Sequence, residues 1–172
     1  MSNHINPAQN TSLKILKEQR GNTLLVKLVG PIEESVDFQS QIGAINPAST
    51  KEIFLLLKEV TRINSVGVKA WIKYFQSVAA QGVTLVFHEC STAVVEQINL
   101  ISNFVCGGRV ESIYVPFCCG SCNTELLGLF RSEDLLTNKL ELPELPCGKC
   151  SGKATFDDIP DEYFAFLKRA QK

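Results

Sequence analysis

The chain has 172 residues and a formal net charge of −1, because 17 lysine and arginine residues are balanced by 18 aspartate and glutamate residues. With 45% hydrophobic and 20% charged residues, the composition is typical of a protein that folds around a core and excludes a strongly basic polyanion binder. No apolar run approaches the roughly 18–20 residues that span a bilayer, and the polar N-terminal segment does not resemble a secretory signal. We therefore expect a cytoplasmic protein without a membrane partner, in which the cysteines stay reduced.

Residues 12–115 alternate between strand-like and helix-like segments. The pattern predicts strands over 13–18 and 23–29 around a Gly21-Asn22 turn, a short helix over 35–43, buried strands over 52–57 and 83–87, helices over 66–80 and 91–102, and a strand over 109–115. A hairpin followed by β-α-β-α-β predicts an α/β fold, with a mixed sheet and helices packed on it.

The helix predicted over 66–80 has the clearest periodicity. Its apolar residues recur at helical spacing and form one stripe, made up of Val68, Trp71, Ile72, Phe75, Val78 and Ala79. Lys69 and Lys73 fall on the opposite face of the helix. We expect the stripe to pack on the sheet and the two lysines to lie in solvent.

Ser65 lies between a buried strand and this helix, at a position where a serine side chain is a favoured N-cap. A helix start favours negative charge, so a phosphate on Ser65 would be tolerated there. Gly67 removes side-chain bulk from the first turn, and we expect this to let another chain approach closely. Two interpretations stay open: Ser65 is a phosphorylated switch on a docking surface, or it is a helix cap that is never modified.

Three features point to a known family: opening strands that end at Gly30, the buried run 53–57, and the sequence Asn64-Ser65-Val66-Gly67-Val68 at the start of a helix. Together they resemble a STAS domain, the fold of bacterial anti-sigma factor antagonists, over about residues 12–115. The family often carries Asp-Ser-Ser/Thr-Gly-Leu-Gly at this helix start. Its first serine is phosphorylated by a partner kinase that also acts as an anti-sigma factor.

The resemblance implies a regulatory module in a bacterial partner-switching pathway, with an anti-sigma factor that is also a serine kinase as its partner. The phosphorylated serine would be Ser65. The docking surface would include Asn64, Ser65, Gly67, Lys69 and Lys73. This chain departs from the family motif because Asn64 replaces the acid, Val66 the second hydroxyl and Lys69 the second glycine.

Two C-x-x-C pairs dominate the remaining part of the chain, residues 116–172. Cys119 and Cys122 form the first pair, and Cys147 and Cys150 form the second. Four thiolates from two such pairs make a tetrahedral site typical of structural Zn²⁺, so we expect a small zinc ribbon here. A redox-active dithiol, a pair of disulfides and an iron–sulfur cluster are the alternatives.

The surroundings of the cysteine pairs suggest how the ribbon is built. The spacer between the pairs can form a hairpin from residues 126–130 and 140–142. Cys118 adjoins the first pair, but its spacing to Cys122 is one residue too long, so we expect it to be a packing residue. Cys90 and Cys106 are expected to be buried or half-buried.

The chain ends in an amphipathic segment. Pro160 and the acidic pair Asp161-Glu162 suit a helix start, and Lys168-Arg169 suits a helix end. The apolar residues between them form a face that must be covered. We expect this C-terminal helix to dock on the ribbon or on the sheet, and the alternative is a helix that binds a partner or a second copy.

No catalytic motif accompanies these features. The sequence has two histidines, His4 and His88, and lacks a glycine-rich phosphate loop. We therefore expect a non-catalytic regulatory protein-interaction module. The alternative is a nucleic-acid-binding adaptor that uses the zinc ribbon, which the acidic balance of residues 116–172 disfavours. The sequence leaves a homodimer open.

Overall fold

A computed structural model describes residues 12–169. Residues 1–11, which include His4 and the N-terminal segment considered above, and residues 170–172 lie outside the described part of the chain. The described residues form two sheets, with six helices around them, and share one continuous hydrophobic core. This confirms the prediction of an α/β fold with a mixed sheet.

The first sheet has five strands in the order β1-β2-β3-β4-β5. These are β1 (Lys14–Arg20), β2 (Thr23–Ile32), β3 (Glu52–Ile63), β4 (Thr84–His88) and β5 (Arg109–Val110). Strand β1 runs antiparallel to β2 across the Gly21 turn, and the remaining pairs are parallel. Gly21 has a φ of +58°, a left-handed conformation that suits the predicted hairpin turn.

Strand β3 is longer than the segment predicted over 52–57, and its burial also differs. We expected a strand covered on both faces, but its side chains alternate between fully buried and half-buried or exposed. The buried set faces the core and consists of Ile53, Leu55, Leu57 and Val60. The extension beyond residue 57 carries β3 directly to the start of the next helix.

Three helices accompany the first sheet: α1 (Phe38–Gln41), α2 (Ser65–Ala79) and α3 (Thr92–Leu100). The apolar stripe predicted for α2 is confirmed, since Val68, Trp71, Phe75 and Val78 are buried while Lys69 and Lys73 are exposed. Ser91 is the N-cap of α3, where its side chain accepts from the Val94 amide.

Trp71 anchors α2 to the core. Its indole Nε1 donates a hydrogen bond of 2.9 Å to the carbonyl of Phe104. The two rings stack with an interplanar angle of 3° and a centroid separation of 5.0 Å. Aromatic stacking and a satisfied indole N–H both stabilise a buried tryptophan, so α2 is held in one position against the sheet.

The second sheet has four antiparallel strands in the order β7-β6-β9-β8. These are β6 (Ser112–Cys119), β7 (Glu125–Arg131), β8 (Leu145–Pro146) and β9 (Lys153–Phe156). Helix α4 (Ser132–Thr137) follows β7. The prediction of a hairpin between the two cysteine pairs is wrong. Residues 125–131 pair with β6, and residues 140–142 belong to no strand.

The prediction of a single strand over 109–115 is also wrong. This segment is split at Glu111 into two strands, β5 of the first sheet and β6 of the second. Strand β6 continues through Pro116 to Cys119. Proline lacks the N–H that a strand donates, so it usually marks a strand end. Pro116 is tolerated because β9 pairs with β6 only from Phe117 onwards, so no residue of β9 needs its N–H. The Pro116 carbonyl still accepts from the Asp157 amide at 3.0 Å.

The C-terminal segment forms two short helices, α5 (Pro160–Tyr163) and α6 (Ala165–Arg169), where we expected one. Its apolar face is buried, as predicted for docking within the chain. The Asn99 side chain of α3 donates to the Tyr163 carbonyl at 2.9 Å and accepts from the Phe166 amide at 3.0 Å. The Tyr163 hydroxyl donates to the Tyr114 carbonyl of β6 at 2.6 Å, so the tail ties the two sheets together.

None of the helices within residues 12–169 has the length and apolar character needed to cross a membrane.

Candidate metal centre

Strand pairing brings the two cysteine pairs together. Cys119 is the last residue of β6 and lies opposite Ala154 of β9. Strand β9 in turn pairs with β8, and the turn between β8 and β9 carries Cys147 and Cys150. Because β9 lies between β6 and β8, the turn after β6 and the turn after β8 meet at the same end of the sheet.

The two cysteine turns have the same backbone geometry. In the first, the Asn123 amide donates to the Cys119 carbonyl at 2.9 Å and the Cys119 amide donates to the Thr124 carbonyl at 3.0 Å. The second turn repeats this with Ser151, Cys147 and Gly152, at 2.9 Å and 2.8 Å. The fifth residue of each turn is left-handed, with φ of 53° at Asn123 and 59° at Ser151. Both cysteine pairs therefore lie in tight turns of the same kind.

The four sulfur atoms lie in one cluster. Every ligand atom of Cys119, Cys122, Cys147 and Cys150 is within 4.8 Å of the others. The sulfur atoms of Cys119 and Cys150 are 3.5 Å apart, and those of Cys122 and Cys147 are 3.7 Å apart. All four cysteines are free of disulfides. A tetrahedral metal with metal–sulfur bonds of about 2.3 Å places its ligands about 3.8 Å apart, so the cluster has the size of a single-metal site.

Hydrogen bonds prepare two of the thiols to carry negative charge. The amides of Ser121 and Cys122 lower the pKa of Cys119. A hydrogen bond with the Thr124 hydroxyl, followed by the Thr124 amide, lowers the pKa of Cys122 to about 6. Thiolates are the form that binds a metal, so these turns stabilise the ligand state of the first pair.

Cys150 shows why the cluster favours a cation. The Gly152 amide lowers its pKa, but the neighbouring thiols of Cys122 and Cys119 outweigh that effect and raise the pKa to about 12. Several negative charges cannot share so small a volume without a compensating ion. A bound metal ion would supply that charge, and the four cysteines together can therefore hold one metal.

The remaining cysteines lie outside this cluster. Cys118 is half-buried on the other face of β6, opposite Glu125 of β7. Cys90 and Cys106 are buried, as expected, and burial raises the pKa of both thiols. Thr124 is a contributor that the sequence analysis missed, although a hydroxyl residue two positions after the second cysteine of a pair could have signalled it.

A comparison of the sequence with protein-family models and with curated proteins finds no match. The α/β fold and the four-cysteine cluster are therefore established by the structure, without support from a relative.

The second candidate site is the start of α2, where the structure corrects the predicted cap. Asn64, rather than Ser65, is the N-cap of α2, since its Oδ1 accepts from the Gly67 amide at 2.9 Å. The Asn64 Nδ2 also donates to Glu34 at 2.8 Å. Asparagine and serine are both good N-caps, and the extended backbone of residue 64 gives that role to the asparagine. Ser65 becomes the first helical residue, and it is exposed.

Gly67 has a different role from the one predicted. It is buried, and a Cβ added to it would lie 2.1 Å from the Ile32 carbonyl oxygen of β2. The close approach that we expected from another chain is therefore made by this chain's own strand. Lys69 and Lys73 are exposed on α2 as predicted, so the solvent-facing residues at this site are Ser65, Val66, Lys69 and Lys73.

His88 is the last residue of β4, and its buried Nε2 has no hydrogen-bond partner among the described residues. Its ring packs against Phe54 with a centroid separation of 4.8 Å. Burial lowers its pKa, so the imidazole is uncharged near neutral pH.

Proposed function

We propose that this chain is a non-catalytic regulatory protein-interaction module of the STAS type, working in a bacterial partner-switching pathway in the cytoplasm. One observation carries the proposal. An antiparallel hairpin leads into a parallel sheet, and β3 of that sheet runs directly into α2, whose first residue is the exposed Ser65. This is the arrangement in which the resemblance places a phosphorylated serine on a docking surface.

The exposed start of α2 has the chemistry of a docking surface. Val66 is 43% exposed beside Ser65, and Lys69 and Lys73 follow on the solvent side of the same helix. An exposed apolar side chain next to two cations suits a protein partner with an apolar contact and an acidic rim. An anti-sigma factor with serine-kinase activity is the partner that the resemblance implies.

A phosphate on Ser65 would oppose docking more than it would disturb the fold. The helix start favours the added charge of about −1.5 to −2. A partner laid across the helix would have to desolvate that charge, and an acidic rim on the partner would be repelled by it. Glu34 bonds to Asn64 and Glu33 is already paired with Arg62, so neither of these carboxylates would compensate a phosphate on Ser65.

We propose that the metal held by the four cysteines is a structural Zn²⁺. Four thiolates fill a tetrahedral site and leave no open position for water or substrate. An iron–sulfur cluster contains several metal and sulfide atoms and would hold some of its cysteine sulfur atoms farther apart than 4.8 Å, the distance within which all four lie here. The metal would therefore fix the two cysteine turns against each other without taking part in a reaction.

The charges around the cysteine turns favour a protein partner over a nucleic acid. Lys153, one of the lysines next to the cluster, forms an ion pair of 2.6 Å with Glu144. Zn²⁺ held by four thiolates would add a formal charge of about −2. Phosphate binding needs several unpaired cations on one face. Lys153 does not contribute an unpaired cation, because Glu144 neutralises it.

The docking proposal is tested by affinity capture from the native cell with quantitative mass spectrometry. We expect Ser65→Asp to reduce recovery of a specific protein partner about tenfold or more, because a carboxylate imitates part of the phosphate charge. Ser65→Ala should recover that partner as well as the wild type does. Phosphopeptide analysis of the captured wild-type chain should show a population modified at Ser65.

Ser49→Asp is the matched control. Ser49 is exposed and lies just before β3, at the opposite end of the strand from Ser65, so its substitution adds the same charge away from the docking surface. Equal recovery of every partner by the Ser65→Asp, Ser65→Ala and Ser49→Asp variants would contradict a switch at Ser65.

A further inference from the structure

Strand β7 forms an unprotected edge of the second sheet. It is the outermost strand in the order β7-β6-β9-β8, and within residues 12–169 its outer edge pairs with no other strand. Its seven residues pair with β6 in an unbroken register without a bulge. An edge of this length presents a row of free N–H and C=O groups that can accept another strand.

The side chains of β7 do not protect this edge. Leu127 is 59% exposed and Leu129 is 48% exposed, and the strand contains no proline and no lysine. The corresponding edge of the first sheet is different, because β1 carries Lys14, Lys17 and Arg20 along its length. Charged residues of this kind keep an edge strand from pairing. By comparison β7 carries charge only at its two ends, Glu125 and Arg131, and its middle is apolar.

The hydrogen bonds at both ends of β7 show which residues face the free edge. The Cys119 amide donates to the Thr124 carbonyl, and the Ser132 amide donates to the Glu111 carbonyl, so residues 124 and 132 bond towards β6. Backbone groups alternate along an antiparallel strand. The even-numbered residues of β7 therefore bond to β6, and the odd-numbered residues present their N–H and C=O groups to the free edge.

We infer that β7 pairs with β7 of a second copy of this chain, in an antiparallel arrangement about a two-fold axis at Gly128. This register makes the sequence Glu-Leu-Leu-Gly-Leu-Phe-Arg of residues 125–131 complementary to itself. Glu125 lies opposite Arg131 of the second copy, and Leu127 lies opposite Leu129 of the second copy. These are odd-numbered residues, which are the ones whose backbone groups are free to bond across the edge.

The pairing accounts for the unusual features of β7 together. Side chains opposite each other in an antiparallel pair lie on the same face, so Leu127 and Leu129 of both copies form one apolar cluster. A Glu–Arg pair closes the cluster at each end, in addition to the contacts of 3.4 Å and 3.7 Å that the exposed Arg131 makes with Glu133 and Glu111. The interface is closed, since the same edge is used on both sides and the assembly stops at a dimer.

The oligomeric state of the metal-loaded protein tests this inference, by sedimentation velocity at about 100 μM chain. We expect a species of twice the 19.0 kDa chain mass for the wild type. The double substitution Leu127→Lys/Leu129→Lys places like charges opposite each other and should raise the dissociation constant about 100-fold or more. Leu16→Lys, at a leucine 46% exposed on the edge strand β1, is the matched control and should remain a dimer.

A charge exchange tests the register itself. Glu125→Arg alone and Arg131→Glu alone each create two like-charge pairs, and each should weaken the dimer about tenfold. An equal mixture of the two variants restores opposite charges at both ends, so it should dimerise about tenfold more tightly than either variant alone. A monomeric wild type, a dimer that survives the double lysine substitution, or a mixture that binds no more tightly than either variant alone would each overturn the inference.

Discussion

Removal of the metal is expected to unfold the cysteine-bearing end of the second sheet and to leave the first sheet folded. Binding of structural zinc by small zinc-finger peptides is worth on the order of 10 kcal/mol, which exceeds what so small a sheet gains from its core. Strand β8 has two residues and β9 has four, and strands this short do not hold a sheet without further support. The two cysteine turns would lose the ion that offsets their negative charge.

The effect is expected to be local because the second sheet is not uniform. Near its start, β6 is anchored to the first part by the bridge between Cys90 and Ile113. Phe156, the last residue of β9, packs against Tyr163 and Phe164, which also pack against each other. This cluster supports the end of β9 that lies away from the cysteine turns. We therefore expect amide hydrogen exchange to rise most in β8, β9 and the two cysteine turns, and least in β3 and α2.

Metal analysis, hydrogen exchange and tryptophan fluorescence provide the measurements. Protein purified without chelators should contain about one zinc ion per chain. Cys147→Ser, at a buried ligand, should lose most of the metal and show the same exchange pattern as the chelated protein. Trp71 is the only tryptophan and lies in the core of the first part, so its emission should stay unchanged in both cases.

Cys118→Ser is the matched control for the metal site. It makes the same atomic change one residue before Cys119, at a thiol that lies outside the cluster. This variant should keep its zinc and its exchange pattern. Zinc well below one ion per chain in the wild type, or a chelated protein with unchanged exchange in β8 and β9, would contradict a structural metal site.

Local patterns in the sequence predicted the parts of the fold that depend on local chemistry. The spacing of the cysteine pairs identified the four residues that the structure brings together, because a C-x-x-C turn has nearly the same shape wherever it occurs. The stripe on α2 identified its buried face for a similar reason, since helical spacing decides which side chains share a side.

Contacts between distant segments were beyond this reasoning. The partner of β7 is β6, which precedes it, and no local signal distinguishes that pairing from a hairpin with residues 140–142. Proline usually ends a strand, yet the missing N–H of Pro116 lies where β6 needs no donor for β9. The choice of Asn64 over Ser65 as the cap depends on the backbone angles at the end of β3, which the residue types do not reveal.

Gly67→Ala is expected to destabilise the protein by about 3 kcal/mol or more, through a clash with β2. Two effects of opposite sign compete at this position. Alanine favours a helix over glycine by about 1 kcal/mol, so the substitution would stabilise α2 if the added methyl group met no other atom. The added Cβ, however, would lie 2.1 Å from the carbonyl oxygen and 2.6 Å from the carbonyl carbon of Ile32.

The steric effect should dominate because the atoms that would have to move belong to the backbone of β2. Ile32 is fully buried and pairs with Ile63 of β3, so the strand cannot shift without disturbing the sheet. At about 2–4 °C per kcal/mol for a chain of this size, the melting temperature of Gly67→Ala should fall by about 6–12 °C. Thermal unfolding followed by the emission of Trp71 measures this directly, since α2 carries that residue.

Gly148→Ala is the comparison that isolates the clash. It adds the same methyl group where nothing lies within 4 Å, and its melting temperature should match that of the wild type. If Gly67→Ala melted with the wild type as well, the packing of α2 on β2 described here would be wrong. The expected loss also distinguishes two positions within one motif, because Gly67 is buried against the sheet while Ser65, two residues earlier, faces solvent.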